Sequence, residues 1–187
     1  MIALYIVIAV VVLVAIAVVV MYNRFASQQA LIAESWSGID VELTRRHELI
    51  PNLVATVKGY ASHEAAVLGA LVAAREGALA ASAGSPAGRA PAEDALTGSL
   101  GQVLARVEAY PDLKASRNFL DLQDELVITE DRIAAARRFY NGNVRAYNTR
   151  CRTIPSSLVA NAFGFRPAEF FEIRDAAVRA VPSVDLG

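Results

Sequence analysis

His47-Glu48-Leu49-Ile50-Pro51 opens as a zinc-protease helix opens, with a histidine followed at once by a glutamate. That chemistry needs a second histidine four positions after the first, so that two rings on one helical face share the metal. Pro51 stands there instead, and the motif fails. His63 and Glu64 lie about four and a half turns farther on, out of reach of His47 along one helix unless the chain doubles back at Pro51. No metal site is expected. Arg45, Arg46 and Glu48, with Glu125, Glu130, Asp131, Arg132, Arg137 and Arg138 later in the chain, could supply an acid–base pair. Ion pairs within a helical bundle perturb carboxylates equally well without catalysis, so register-setting salt bridges and a solvated face are the preferred reading.

Tyr140, Asn141, Asn143, Tyr147 and Asn148 form the other polar concentration. Either they hydrogen-bond to a facing helix and fix its register, or they line a small polar pocket. Neither a Gly-x-Ser-x-Gly elbow nor a phosphate-cradling glycine loop occurs, so no catalytic residue and no cofactor is expected. The sequence does not read as an enzyme.

The elements that must position these residues are helices. Trp36, Ile39, Leu43, Arg46, Ile50, Leu53, Val57 and Tyr60 follow one another in steps of three and four, a helical stripe with a period near 3.5 that only Arg46 interrupts. Pro51 removes a backbone donor and crowds the carbonyl of His47, yet the stripe passes it in phase and no turn residues surround it. This favours one long kinked helix to about Ala80 over two antiparallel ones. Residues 83–91 are small residues and breakers and read as a loop. A second helix is expected over 92–110, with Leu96, Leu100, Val103 and Val107 on one face. A third, over about 112–152, carries Phe119, Leu122, Leu126, Thr129, Ile133, Ala136, Tyr140, Asn143 and Tyr147. Phe163, Phe165, Phe170 and Phe171 follow and are expected to seal the end of the bundle or touch lipid, ahead of an extended end at 181–186.

Residues 1–22 contain no charged side chain. At about 1.5 Å per residue, residues 2–21 cover roughly the 30 Å of a bilayer core and satisfy their own backbone hydrogen bonds. Ile2, Val12 and Val20 lie in this span, and Tyr5 and Tyr22 sit near its ends, where aromatic rings prefer the interface. No basic leader or small-residue cleavage site marks it as a signal peptide. The predicted fold is therefore all-α: an N-terminal transmembrane helix continuing into an elongated antiparallel helical bundle, with three long helices, or four if the chain folds back at Pro51. Its parts are an anchor over 1–23, the bundle over 24–152 and an aromatic-rich segment over 153–187 that packs on the bundle end. Net charge is −1 with 20% charged residues, which leaves no basic field for nucleic acid. The single cysteine, Cys151, excludes an intramolecular disulfide. Arg24, alone after the span and before Glu34, points to a cytoplasmic bundle.

Several ordered strings closely resemble the bacterial LemA family. The strongest runs Trp36-Ser37-Gly38-Ile39-Asp40-Val41-Glu42-Leu43, then Arg45-Arg46-His47-Glu48-Leu49-Ile50-Pro51-Asn52-Leu53-Val54, then Thr56-Val57-Lys58-Gly59-Tyr60-Ala61 and His63-Glu64. Tyr110-Pro111-Asp112-Leu113-Lys114-Ala115, Leu122-Gln123-Asp124-Glu125-Leu126, Thr129-Glu130, Arg137, Tyr140-Asn141 and Tyr147-Asn148 complete it. The resemblance covers nearly the whole chain and implies an N-terminal transmembrane helix with an up-and-down four-helix bundle, but no catalytic residues.

The expectation is a non-enzymatic scaffold or adaptor at the bacterial inner membrane. Its partners would be the lipid bilayer, other copies of the chain as a homo-oligomer, and an unidentified membrane or cytoplasmic protein. Trp36, Asp40, Arg45, Arg46, His47, Pro51, Asn52, Glu130, Arg137 and the Tyr140 to Asn148 cluster are the structural or interaction candidates. Membrane remodelling through the long helix or the Phe-rich tail is the first alternative, although residues 168–180 mix Glu169, Glu172 and Asp175 with Arg174 and Arg179 instead of showing a basic face. A small-ligand sensor built on the Tyr140 to Asn148 cluster is the second.

Overall fold

The computed structural model describes residues 1–172. Within them the elements are α1 (Ile2–Tyr60), a 3-10 turn (Ser62–Glu64), α2 (Ala65–Ala80), α3 (Pro86–Val107), α4 (Pro111–Lys114), α5 (Arg117–Arg152) and α6 (Ser156–Phe163), with no strand. The all-α expectation holds. The extended end expected at 181–186, and residues 173–180, lie outside the described residues. Two structural units emerge among the described residues, one made of residues 1–39 and 136–169, the other of residues 40–135 together with 170–172.

Helix α1 passes through Pro51 without reversing. The proline ring removes the N–H that would have bonded to the carbonyl of His47, four residues back. A buried carbonyl without a donor costs free energy, and here it has one: Arg75 Nε of α2 donates to His47 O at 2.7 Å. The chain reverses ten residues after the proline. Ala61 leaves the helical region at φ −129°, ψ 61°, and the short 3-10 turn leads into α2, which runs back along α1 and brings Arg75 to His47. The expected continuation to Ala80 is therefore interrupted at Ala61. A straight helix would carry Leu68 and Leu71 away from any apolar partner. Folded back, they join Ile50, Leu53, Val57 and Ala61 in one core.

That core defines the second unit. Leu96, Leu100, Val103 and Val107 of α3 and Phe119 and Leu126 of α5 close it from the other side. The fourth bundle helix thus comes from a fold-back, as a four-helix arrangement requires, but at 61–64 and not at Pro51. Helix α3 starts six residues earlier than its apolar face suggested. Ser85 caps it, its Oγ accepting from Gly88 N at 3.3 Å, and Pro86 occupies the first turn, where its missing donor is harmless.

In the first unit α1 and α5 run antiparallel, with Gln29 Nε2 donating to Tyr147 Oη at 3.1 Å and Trp36 against Tyr140 at a centroid separation of 5.4 Å. Phe25, Tyr147, Val159 and Ala160 form its core, with Val18, Met21, Ile32 and Phe165 against it. Gly164, at φ 77°, supplies the left-handed residue that ends α6. The turn lays Phe165 on Phe25, with centroids 4.7 Å apart and planes 17° apart. Residues 1–17 are exposed all round, and the segment is long and apolar enough to cross a membrane.

If Arg75 serves the carbonyl freed by Pro51, Arg75→Leu should cost about 1–3 kcal/mol of stability, as an orphaned buried acceptor does. In a Pro51→Ala background the restored N–H takes over, and the same substitution should cost markedly less. Denaturant unfolding of the four proteins in detergent micelles reads this coupling directly.

Candidate functional site

Arg46 sits on the core stripe of α1 with its side chain fully withdrawn from water. A guanidinium can occupy such a place only if carboxylates and hydrogen-bond acceptors surround it. They come from two other helices. Nη2 donates to Glu93 Oε2 of α3 at 2.5 Å, and Nη1 donates to Thr97 Oγ1 of α3 at 2.8 Å and to Glu130 Oε1 of α5 at 2.9 Å. Glu93 is itself fully buried, and the neighbouring His47 reaches the same carboxylate oxygen through Nε2 at 3.2 Å. Arg89, one turn before Glu93, donates Nη1 to Asp40 Oδ1 at 2.7 Å and places Nη2 3.8 Å from Glu93 Oε1. Two guanidiniums, three carboxylates and an imidazole thus interlock α1, α3 and α5 within one unit.

Burial alone would push Glu93 toward its neutral form. The His47 hydrogen bond and the Arg46 charge more than offset this and hold its carboxyl below the ordinary value of 4.5. A carboxylate held in its charged form is poorly suited to donate or accept a proton near neutrality. No group of three or more histidine, cysteine, aspartate or glutamate side chains is placed to hold a metal among the described residues. The arrangement is a register lock: moving any of the three helices by one residue would strand a buried charge.

Among the residues expected to matter, the structure joins Asp40, Arg46, His47 and Glu130 in this cluster. Arg45 and Glu48 are exposed, as are Asp131 and Arg138, while Arg132 Nη1 lies 3.7 Å from Glu42 Oε1. Pro51 and Asn52 are exposed, and Asn52 contributes only its carbonyl, which accepts from Thr56 Oγ1 at 2.9 Å. His63 is exposed, and its neighbour Glu64 accepts from Tyr110 Oη at 3.0 Å. The sequence reading missed Arg89, Glu93, Thr97 and Arg75. The first three share one face of α3 at four-residue spacing, but the loop assigned to 83–91 hid the beginning of that face. The Ser85-Pro86 pair, a cap followed by a first-turn proline, is the signal that marks where α3 starts.

The Tyr140 to Asn148 cluster, in the other unit, holds backbone. Asn148 clamps Ala168 on both sides, donating Nδ2 to its carbonyl at 2.9 Å and accepting its N–H on Oδ1 at 2.8 Å. Tyr140 Oη donates to Glu169 O at 2.8 Å. Burial raises the pKa of Tyr140, with the Glu169 charge adding to it, and burial likewise raises that of Tyr147. Both hydroxyls keep their protons, Tyr140 donating to Glu169 O and Tyr147 accepting from Gln29. The thiol of Cys151 is pushed up by burial as well, which makes it a poor nucleophile. Asn141 and Arg137 are half-buried. Asn143 is half-buried too, and its Nδ2 is buried without a hydrogen-bond partner. Phe165 is half-buried, Phe171 is fully buried, and Phe163 is exposed but meets the Tyr22 ring edge-on at 5.1 Å. Ile2, Tyr5, Val12 and Val20 are exposed on α1.

Comparison with known proteins agrees with this architecture. The LemA family model matches residues 35–186, beginning one residue before Trp36 and leaving the apolar segment outside the match. The magnetosome proteins MamQ 1 and MamQ 2 of Paramagnetospirillum magneticum and MamQ of Magnetospirillum gryphiswaldense are each 27% identical to this chain. Each alignment covers 83% of this chain and 66% of the relative, so the chain spans just under two thirds of their length.

Glu93→Gln should cost about 3–5 kcal/mol, because it leaves Arg46 buried without its closest counter-charge. Because the folded-state pKa of Glu93 is depressed, its ionic contribution is complete above 4.5 and is lost as pH falls through the folded value. Unfolding free energies measured from pH 7 downward should show this acid loss in the native chain and a shallower slope in the variant. Asn148→Ala, by contrast, should leave helix content unchanged in circular dichroism and speed limited proteolysis near Ala168.

Proposed function

This chain belongs to the LemA family, and on that premise we propose that it is a non-enzymatic scaffold or adaptor anchored in the bacterial inner membrane. Association with a membrane follows from the family and from the apolar N-terminal helix. The observation that carries the scaffold reading is that the buried cluster ties three helices together. Arg46 directs both terminal nitrogens of its guanidinium to acceptors on α3 and α5, so polar groups that could have served a substrate fix helix register instead. Rigidity of that kind suits a part that presents a surface.

Two observations support the finer points. The unit that contains the membrane segment carries seven arginines against only Glu34 and Glu169. An excess of arginine next to a span favours the cytoplasmic side. On α5 of the other unit, Leu120, Val127 and Ile128 are exposed, an apolar face of the sort that protein partners or a second copy would cover. Anchoring raises the effective concentration of such encounters. From the magnetosome relatives only the LemA-type architecture carries over to this chain.

Crosslinking of the full chain in intact membranes should give oligomers or a discrete partner adduct, and Val127→Glu with Ile128→Glu should diminish them. Recovery of monomers alone, with no partner, would overturn the proposal. With Cys151→Ser and Ser82→Cys, an impermeant thiol reagent added to intact spheroplasts should leave residue 82 unlabelled, and labelling there would place the bundle outside.

A further inference from the structure

Helix α6 packs on the membrane segment itself. Val159, Ala160 and Phe165 share a core with Val18 and Met21, which lie in the last turns of the apolar stretch, and Phe163 meets Tyr22. This places α6 at the depth where the span leaves the bilayer. Part of this segment's apolar surface is not covered by the described residues. Ile154 is 83% exposed, Leu158 66% and Phe163 54%. At this depth the medium available to cover them is lipid.

One turn farther along α1, Asn23, Arg24, Ser27 and Gln28 line a shallow, open groove of about 450 Å³ together with Val20 and with Arg150 of α5. Val20, Asn23, Arg24, Ser27 and Gln28 fall at helical spacing on one face. Among the described residues no carboxylate lies within ion-pair distance of Arg24 or Arg150. Of the two acidic residues in this unit, Glu34 is ten positions from Arg24, about 15 Å along the helix. Two guanidinium forks without a carboxylate partner beside one groove at headgroup height are the chemistry that recognises a phosphodiester.

We propose that this groove binds the headgroup of an anionic phospholipid, with the phosphate between Arg24 and Arg150 and the acyl chains against Val20 and the exposed apolar side of α6. Free phosphate shares the anionic chemistry, but it would gain nothing from Val20, Ile154 or Leu158. The proposal rests on the segment 2–21 spanning the membrane. It goes beyond the scaffold reading, since it makes the anchor selective for the lipid around it.

The test uses the full chain in detergent micelles, with phosphatidylglycerol or phosphatidylcholine added, and counts retained lipid by native mass spectrometry. Phosphatidylglycerol should be retained roughly tenfold or more over phosphatidylcholine. Arg24→Gln with Arg150→Gln should bring the two lipids level, while Arg24→Lys with Arg150→Lys keeps most of the preference. Arg138→Gln with Arg145→Gln, on exposed arginines of the same unit, should change nothing. Thermal melting monitored by circular dichroism shows that each variant is folded. Equal retention of both lipids by the native chain overturns the proposal, as does undiminished phosphatidylglycerol on the glutamine double variant. Displacement of the lipid by millimolar inorganic phosphate also overturns it and assigns the groove to a free anion. Failure of the membrane reading is seen separately, as a chain that does not float with vesicles of either composition.

Discussion

A guanidinium removed from water is the constraint on which the bundle turns. Arg46 interrupts an otherwise apolar stripe at a position that the helical period sends into the core, so its charge has to be met inside. Glu93 and Glu130 meet it from α3 and α5, and His47, Arg89 and Asp40 follow because Glu93 in turn is too deeply buried for one partner to stabilise it. Apolar burial, from Ile50, Leu53, Leu71 and Leu96 among others, supplies the stability of this unit. The ionic cluster adds little to that net stability once desolvation is counted, but it permits a single register. Apolar contacts alone tolerate sliding.

The second polar device repairs the backbone. Pro51 leaves the carbonyl of His47 without its helical donor, next to the cluster in sequence, and Arg75 supplies a donor from α2. The fold-back at 61–64 is what makes this possible, because it returns α2 along α1 until residue 75 stands opposite residue 47. A proline inside the longest helix is therefore tolerated without a break. The proline and the reversal are different places in the chain, ten residues apart.

In the unit that contains the membrane segment, aromatic rings and amides play the corresponding parts. Phe25 receives Tyr147 edge-on and Phe165 face-on, and Asn148 holds Ala168 through both of its backbone groups. The helix that follows the cluster is thereby tied to the last turns of the apolar segment, so that segment is packed against folded protein at its C-terminal end. An excess of arginine gives this unit an electrostatic character that the whole chain, at net charge −1, conceals.

By itself the sequence determined the helical class, the apolar segment long enough to cross a membrane and the core faces. Those follow from periodicity and from runs of apolar residues, and both are local properties. Ile39, Leu43, Ile50, Leu53 and Val57 are buried as the stripe on α1 required, and Phe119, Leu126, Ile133, Tyr140 and Tyr147 as the one on α5 required. It also singled out Arg46 as the exception. Only the tertiary structure decided which groups answer that exception. Glu93 and Arg89 are separated from Arg46 by more than forty positions and two chain reversals, and nothing in their spacing announces the partner. The place of the first reversal was equally hidden, since it carries no proline and is set by where Leu68 and Leu71 find apolar partners, and the donor for the orphaned carbonyl of His47 could be known only once α2 had come back to it.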